Sequence, residues 1–404
     1  MRILAILLSP PFPATAGHRI RNGSLLRALK LEGHAVTMVA FASPEEIAVP
    51  ARELAGLCSE FHLVPCPESS SLDRLRAVFG RKPYGAVRLA TPAMQSLVRE
   101  HLAKNEYDVM LCDDVYMAGN IPENNRLPVV LNKHDITCRI MRQFAVGERN
   151  PLKRLYALLE AAKIQRLEAA LCASAQAVAV CSARDAELLR ELSPAAKLFV
   201  VPNVMDIDKY APATQGDRHS VLFVGAMDWL PNQDGVEFLV HDIFPLVRRL
   251  VPTAQVVLAG RNPSPAMLQR YAEFPDVKFT GTVVDLRPFI ARATVCVVPL
   301  RIGSGTRLKI LEAAAMAKPI VSTTLGAEGL DLRNGEEIIL EDSPHAFAKG
   351  IAMLLTDPSR AAAIGSAARR AVEQLYSIPA LCQQLRLLLD SLEIPAAMAG
   401  RSQP

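Results

Sequence analysis

Short apolar runs alternate along the chain with longer stretches whose apolar residues recur at helical spacing. The short runs are typical of buried parallel strands, and the longer pattern is typical of amphipathic helices. This alternation predicts an α/β fold of two Rossmann-like, doubly wound domains that face a cleft. The predicted strands are Arg2–Leu8, Ala35–Ala40, Glu60–Val64, Val109–Cys112, Val129–Asn132, Ala177–Cys181, Ser220–Val224, Gln255–Ala259, Lys278–Thr280, Val295–Pro299, Pro319–Ser322 and Ile338–Leu340. The predicted helices are Arg19–Glu32, Pro151–Ala175, Asp234–Leu250, Arg307–Ala317 and Pro358–Leu392.

The segment Val201–Asp217, rich in proline, aspartate and glycine, separates the two series of strands. Such a composition is typical of a linker. We therefore predict an N-terminal domain over residues 1–200, a linker over 201–217 and a C-terminal domain over 218–375. A C-terminal helix and tail over 376–404 follow, and packing of this segment back on the N-terminal domain is left open.

Composition and charge narrow the class of protein. Half of the 404 residues are hydrophobic and 21% are charged, which is an ordinary globular balance, and a net charge of +4 is too small to favour nucleic acid as a partner. The eight cysteines form no CxxC pair, as expected for buried thiols in a reducing compartment. No apolar stretch approaches the ~20 residues that cross a bilayer. We expect a cytoplasmic protein, and modest basic groups such as Arg27 and Lys30 leave peripheral attachment to the inner face of a membrane open.

The loop from Gly303 to Thr306 lies between an apolar run and a helical pattern, and it is the most informative segment of the chain. Backbone N–H groups of a small-residue loop at a helix N-terminus can face an anion. Arg307 and Lys309 add positive charge there, and Glu312 adds one carboxylate. Together these groups suit a ligand with phosphate and ribose, which is a nucleotide.

The chain resembles the family-4 retaining glycosyltransferases of the two-Rossmann (GT-B) fold over nearly its whole length, in the branch with the donor loop GSGTRLKILEA, here Gly303–Ala313. The order and spacing of several fragments carry the resemblance. They are Met1–Leu4, Pro10–Pro13, Gly17–Asn22, Leu29–Thr37, Cys181–Ser182, Val201–Asp206, Phe223–Asn232, Ala259–Pro263 and Gly281–Asp285.

The resemblance implies a retaining, metal-independent hexosyltransferase that needs no cofactor. Its donor would be a nucleoside-diphosphate sugar bound by the C-terminal domain, and its saccharide or lipid-linked acceptor would bind the N-terminal domain, in surface-polysaccharide or glycolipid biosynthesis. Glu312 inherits the contact with the donor ribose. Arg307 and Lys309, with Gly303, Ser304, Gly305 and Thr306, become the partners of the diphosphate.

Two departures from the family pattern matter. The family places a first glutamate eight positions before Glu312, and this chain has Ser304 there, so the identity of the sugar does not follow from the resemblance. Many relatives carry Arg and Lys in the loop after Gly225, where this chain has Ala226 and Asn232.

In the N-terminal half, His134 follows a strand end, and the resemblance makes it a candidate contact of the donor sugar or its phosphate-side oxygens. The alternative is a loop histidine capped by Asp135. Gly17 and His18 are candidates for a loop that gates donor and acceptor, or for a plain turn. Arg19 and Arg21 either meet an anionic acceptor or flank the helix.

On the donor side, the resemblance points to recognition of the base near Arg261, Val283 and Asp285, largely by backbone groups. The alternatives are a surface arginine and an aspartate that caps a helix beginning at Leu286. The Asp206-Ile-Asp208 segment is interpreted as part of the linker and not as a metal site.

Two other functions stay open. A nucleotide-sugar epimerase would share the fold, and a non-catalytic relative would bind a nucleotide sugar without transferring it. A nicotinamide-dependent oxidoreductase is disfavoured because no G-x-G-x-x-G follows the first strand of either half.

Overall fold

A computed structural model describes residues 1–14, 16–47, 51–148, 150–213, 216–303 and 305–393. The chain divides into two compact units. The first contains Met1–Asn203 and the segment from Pro379 onward, and the second contains Val204–Ile378. Each unit is built on one parallel sheet with helices, so the predicted α/β fold class is confirmed.

The sheet of the first unit has seven parallel strands in the order β3-β2-β1-β4-β5-β6-β7. They are β1 Arg2–Leu7, β2 Ala35–Ala42, β3 Glu60–Pro65, β4 Val109–Asp113, β5 Val129–Asn132, β6 Ala177–Val180 and β7 Leu198–Val200. The sequence pattern missed β7. This edge strand has three residues and no fully buried side chain, so it lacks the apolar run that marks the others.

The helices of the first unit cover the sheet. They are α1 Gly17–Leu31, α2 Pro44–Ile47, α3 Ala51–Ala55, α4 Ser71–Phe79, α5 Tyr84–Leu89, α6 Pro92–Lys104, α7 Thr137–Gly147, α8 Pro151–Ser174 and α9 Ala183–Leu192. Asn150 caps α8, since its side chain accepts hydrogen bonds from two backbone N–H groups of the first turn.

The second unit has six parallel strands in the order β10-β9-β8-β11-β12-β13. They are β8 Ser220–Val224, β9 Gln255–Ala259, β10 Val277–Gly281, β11 Val295–Val298, β12 Ile320–Ser322 and β13 Ile339–Leu340. In both sheets the strand order reverses beside the first strand of the unit. Ligands of open α/β sheets bind at such a reversal, outside the carboxyl ends of the strands.

The helices of the second unit are α10 Leu230–Glu237, α11 Phe244–Leu250, α12 Pro265–Tyr271, α13 Arg287–Arg292, α14 Leu308–Ala315, α15 Pro344–Thr356 and α16 Pro358–Leu375. The predicted helix Asp234–Leu250 begins earlier, at Leu230, and contains a π-helical segment, Phe238–Ile243, between α10 and α11.

The predicted helix Pro358–Leu392 is two helices, α16 and α17 (Ile378–Asp390). Pro379 explains the break, because proline is tolerated in the first turn of a helix and not in its interior. Helix α17 packs on α1, where the Arg386 guanidinium donates to Glu32 at 2.8 and 3.0 Å. Among the described residues, no helix is both long and apolar enough to cross a membrane.

The eight cysteines are free thiols, and seven of them are buried as expected. Cys66 is exposed instead, because it follows the end of the edge strand β3.

Candidate active site

The loop between β11 and α14 turns at two glycines in the left-handed region, Gly303 with φ 117° and Gly305 with φ 78°. Ser304, between them, lies outside the described residues. The hydroxyl oxygen of Thr306 is buried and has no hydrogen-bond partner among the described residues. Buried hydroxyls are normally paired, so this one leaves a hydrogen-bonding group of the loop unused within the described residues.

The sequence pattern predicts Arg307 as the first residue of this helix. In the structure Arg307 is the N-cap, and α14 begins at Leu308. Its guanidinium donates a hydrogen bond to the carbonyl of Gly305 and thereby crosses the loop. A Cβ added at Gly303 would lie 3.1 Å from Nη2 of Arg307. The glycine therefore leaves the space in which the guanidinium lies.

The ammonium group of Lys309 donates to Oδ1 of Asn232 at 2.9 Å and lies 4.6 Å from the centroid of the Phe223 ring. The amide of Asn232 in turn donates to the carbonyl of Ala226 at 2.9 Å. Burial, and then the charge of Arg307, lower the pKa of Lys309 to about 7. Asn232 thus positions a buried lysine whose hydrogen-bond partner is a neutral amide oxygen.

Glu312 follows Lys309 by three residues, so both side chains lie on one face of α14. The hydroxyl of Tyr210 donates to Oε1 of Glu312 at 3.3 Å. Burial raises the pKa of Glu312, while the hydrogen bond from Tyr210 and the charge of Lys309 oppose the rise. The carboxylate is held, with acceptor capacity left for a ligand hydroxyl.

The ends of β8 and β9 approach each other closely at two glycines. A Cβ on Gly260, whose φ is 153°, would lie 1.8 Å from the carbonyl oxygen of Gly225. A Cβ on Gly225 would lie 2.7 Å from Cγ of Asn232. Gly225 is therefore required for the position of the amide that holds Lys309.

The remaining donor-side candidates lie at the ends of β9 and β10. The side chain of Arg261 is exposed, and its carbonyl accepts from the N–H of Met227 at 2.8 Å. Asp285 accepts hydrogen bonds from the backbone and the guanidinium of Arg287, the first residue of α13, whose N-cap is Leu286. Contact of Arg261, Val283 and Asp285 with a base stays a prediction.

In the first unit, Nε2 of His134 lies 2.6 Å from Oδ1 of Asp113, at the end of the neighbouring strand β4. The alternative in which Asp135 caps His134 is wrong, because the carboxylate of Asp135 instead accepts a hydrogen bond from the hydroxyl of Thr137 at 3.3 Å. Burial alone would raise the pKa of Asp113, but the His134 imidazole and several hydrogen bonds lower it to about 2. Asp113 is an ionised, buried partner that orients the ring.

His18 is the second histidine of this group. Its ring lies edge-on to that of His134, with 6.0 Å between centroids, and its Nε2 lies 3.0 Å from Oγ of Ser9. Burial, and then the neighbouring His134, lower the pKa of His18. Gly17 is the first residue of α1, so the helix begins two residues before the predicted Arg19.

Arg19 and Arg21 of α1 do not form a free basic patch. Arg19 makes an ion pair with Glu46. Arg21 is 2% exposed and donates to Asn132 and to the carbonyl of Val201. The guanidinium of Arg21 thus ties the end of β5 to the segment after β7, and its contact with an acceptor stays a prediction, as does that of Arg19.

Two family models match the chain. Residues 16–204 match the model described as "Glycosyl transferase 4-like domain", and residues 218–357 match "Glycosyl transferases group 1". The two matches cover both units, including His134 and the loop before α14. The chain is a glycosyltransferase of the GT-B fold.

Two relatives are similar in sequence to this glycosyltransferase. An uncharacterized 44.6 kDa protein in the cps region of Klebsiella pneumoniae is 21% identical over 87% of this chain and 90% of the relative. A GDP-mannose-dependent monoacylated alpha-(1-6)-phosphatidylinositol monomannoside mannosyltransferase of Corynebacterium glutamicum is 26% identical. That match covers 47% of this chain and 55% of the mannosyltransferase.

Solved structures share the fold of the glycosyltransferase. Sucrose-phosphate synthase from Thermosynechococcus elongatus superposes with a TM-score of 0.72 at 20% identity, over 96% of this chain and 98% of that chain. Anabaena HepE in complex with UDP-glucose gives a TM-score of 0.65 at 16% identity, over 97% and 100%.

Three residues of the glycosyltransferase's candidate site were missed from the sequence, namely Asp113, Asn232 and Tyr210. Asp113 had a usable signal, since an acidic residue ends an apolar strand there. In the sequence, Asn232 stands out only because it replaces a lysine of many relatives, and nothing there marks it as the partner of Lys309. Tyr210 lies in the segment interpreted as a linker, where one aromatic residue among polar ones was the available signal.

Proposed function

We propose that this glycosyltransferase transfers a hexose from a nucleoside-diphosphate sugar to a saccharide or lipid-linked acceptor, with retention at the anomeric carbon and without a metal ion. The observation that supports this proposal is the arrangement at α14. Arg307 and Lys309 lie at a loop in which the buried hydroxyl of Thr306 has no partner among the described residues, and Glu312 lies one turn further on. This places cationic groups, a polar loop and a carboxylate acceptor in the order that a diphosphate and a ribose need.

Transfer of the sugar requires stabilisation of the negative charge that develops on the leaving group. When the bond from the anomeric carbon to the diphosphate breaks, negative charge builds up on the leaving oxygen. Arg307, Lys309 and the loop around Thr306 supply the compensating donors, already aligned by Asn232 and Gly305. A bound diphosphate also raises the pKa of Lys309 and so secures its charge.

Retention follows in the proposal from a front-face displacement. The acceptor hydroxyl forms its bond to the anomeric carbon on the face that the diphosphate leaves, and its proton passes to the departing diphosphate oxygen. No protein nucleophile is required, so catalysis rests on positioning and electrostatics. His134, oriented by Asp113, contributes a directed imidazole for a sugar or phosphate-side oxygen.

The relatives support a nucleoside-diphosphate sugar as the class of donor, but they do not identify the base or the sugar for this chain. The mannosyltransferase that matches part of this chain is GDP-mannose-dependent, and the fold neighbour HepE was solved with UDP-glucose. The Klebsiella relative is described as lying in a cps region, which favours surface-polysaccharide biosynthesis. The nucleotide base and the sugar of the donor are therefore the first features to identify by experiment.

The test is a thermal-shift and hydrolysis screen of the full chain against UDP-, GDP-, ADP- and TDP-sugars, with and without EDTA. We expect one nucleotide series to raise the melting temperature, and the size of this rise should be the same with and without EDTA. Transfer to a saccharide acceptor, with the anomeric configuration of the product assigned by NMR, then tests retention. No response to any nucleotide would contradict the proposal.

Two outcomes would replace the proposal by another function. Interconversion of donor sugars without an acceptor would identify an epimerase. Nucleotide binding without transfer to any acceptor would identify a non-catalytic relative, and Ser304, in place of the family's glutamate, would then be the first residue to restore.

We further propose that the protein attaches peripherally to the inner face of a membrane through an apolar-basic surface made of α4 and the first half of α8. Leu72, Leu75 and Phe79 on α4 are 65%, 56% and 83% exposed, and Leu152 and Leu155 on α8 are 77% and 56% exposed. Large exposed apolar patches are rare on monomers and mark interaction sites.

The two helices are linked and carry basic side chains. The ammonium of Lys163 on α8 donates to the carbonyl of Val78 at the end of α4 at 3.2 Å. Exposed basic residues on and beside α4 and the first half of α8 are Arg74, Arg76, Arg81, Lys82, Lys153 and Arg154. Apolar side chains among cations match an anionic lipid surface, which also holds lipid-linked acceptors.

The test is sedimentation with vesicles of phosphatidylglycerol or of phosphatidylcholine. We expect binding to the anionic vesicles, weakened by Phe79→Ser and by Lys153→Ser. Leu268→Ser is the control, since Leu268 is 43% exposed on α12 of the other unit. Equal binding by all variants, or none by the wild type, would refute this surface.

A further inference from the structure

Three side chains with metal-binding atoms come together in the first unit, away from the candidate active site. Glu60 and His62 are two residues apart on the edge strand β3, so they share one face of it. His101 reaches them from α6. One ligand atom from each of the three lies within 4.8 Å of the others, and the centroids of the two imidazole rings are 4.5 Å apart.

The buried member of this Glu60–His62–His101 cluster is already oriented. His101 is 7% exposed, and its Nδ1 lies 3.1 Å from the hydroxyl of Tyr107. When Nδ1 donates this hydrogen bond, the lone pair lies on Nε2. A hydrogen-bond partner on the other ring nitrogen is the usual arrangement of a metal-bound histidine.

The distances suit one small ion. Nε2 of His62 lies 2.9 Å from Oε1 of Glu60. With zinc–ligand bonds of about 2.0–2.1 Å, ligand atoms of a tetrahedral site lie about 3.3 Å apart. The measured separation is slightly shorter than this value and the others do not exceed 4.8 Å, so the partly exposed side chains of Glu60 and His62 need only a small adjustment.

We propose that Glu60, His62 and His101 bind Zn²⁺, with water as the fourth ligand. Two neutral imidazoles and one carboxylate form a ligand set that zinc favours over magnesium or calcium.

The position of the cluster separates it from the transfer chemistry. Strand β3 is four places from β5 in the sheet, which is about 19 Å at the usual strand spacing. Glu60 begins β3, whereas His134 follows the end of β5, so the two groups lie at opposite ends of parallel strands. The ion would therefore tie the edge strand to α6 without acting in catalysis.

The experiment titrates ZnCl2 into the untagged, metal-free full chain by calorimetry, and follows the visible absorption of Co²⁺ in the same site. We expect one ion per chain and a higher melting temperature with zinc. His62→Gln and Glu60→Gln should each weaken zinc binding at least tenfold. His345→Gln, which changes an exposed histidine of the second unit, should leave binding unchanged.

Several results would overturn the proposal. These are no zinc binding by the wild type, unchanged affinity in folded His62→Gln and Glu60→Gln, or loss of binding in Cys66→Ser, which removes the exposed thiol. If His101→Gln fails to fold because its ring is buried, the two exposed variants still decide. None of these measurements needs a nucleotide, so the outcome is independent of the proposed transferase activity.

Discussion

The imidazole of His134 and the carboxylate of Asp113 are 2.6 Å apart, although 21 residues separate them in the chain. Adjacent parallel strands bring them together, because β4 ends at Asp113 and β5 ends just before His134. Asp113 also accepts from the side chains of Asn22 and Asn132 at 2.8 and 2.9 Å. The carboxylate therefore organises the carboxyl edge of the sheet around one histidine.

We expect Asp113→Asn to lower kcat on the order of 10²-fold, because the amide no longer stabilises and orients the imidazole as an anion does. The KM for the donor should change little. Kinetics of the purified variant, with circular dichroism to verify folding, make the test. Asp108→Asn is the control, since Asp108 only accepts from the backbone of Arg2 at the surface. Equal losses in both variants would show that Asp113 has no special role.

Replacing Glu312 by alanine should abolish transfer without unfolding the protein, since the carboxylate is proposed to hold the donor ribose. Tyr210→Phe removes one hydrogen bond to Glu312 and should cost about 1 kcal/mol, or roughly fivefold in nucleotide affinity. A transfer assay measures the first effect, and calorimetric titration with the nucleotide identified by the screen measures the second. Normal activity of a folded Glu312→Ala variant would exclude this residue from the donor site.

Nucleotide affinity should fall as the pH rises above about 7. The pKa of Lys309 is lowered to about 7 in the free protein, and a bound diphosphate raises it, so binding above this pH requires uptake of a proton. The terminal phosphate of the nucleotide ionises near pH 6 and does not contribute there. Titrations between pH 7 and 9 in buffers of different ionisation enthalpy measure the uptake.

Lys309→Arg is the matched control for this pH dependence, because a guanidinium stays charged throughout the range. Its affinity should be flat between pH 7 and 9. The lowered pKa of Lys309 also has a consequence for the protein without ligand. The unfolded chain keeps this lysine protonated up to its ordinary pKa of 10.5, so the free energy of unfolding rises with pH between about 7 and 10. A wild-type affinity without pH dependence would contradict the assignment.

Gly260→Ala should destabilise the second unit by about 3 kcal/mol or more, because the added Cβ would lie 1.8 Å from the carbonyl oxygen of Gly225. The same shift would displace Gly225 and, through it, Asn232. Chemical denaturation and nucleotide titration should both report the loss. Gly147→Ala is the control, since its Cβ would meet no atom within 4 Å. Equal stability of the two variants would show that the two loops separate easily.

Much of the fold followed from the sequence by itself. The strands were predictable because a short apolar run rich in β-branched residues and bounded by polar turns is typical of a buried parallel strand. The loop between β11 and α14 was predictable for a related reason, since Gly303, Arg307 and Glu312 are close in sequence and one strand–loop–helix unit holds them. Their place on this loop and on α14 needed no knowledge of the rest of the chain.

The tertiary structure alone decided which distant side chains meet. The partner of His134 is Asp113 and not its neighbour Asp135, since the order of the strands selects the contact. Lys309 meets Asn232 across 77 residues. Arg21 is buried although it lies on an amphipathic surface helix. Local periodicity encodes which face of an element is apolar and carries no information on which elements become neighbours, so these contacts appear only when the sheets are assembled.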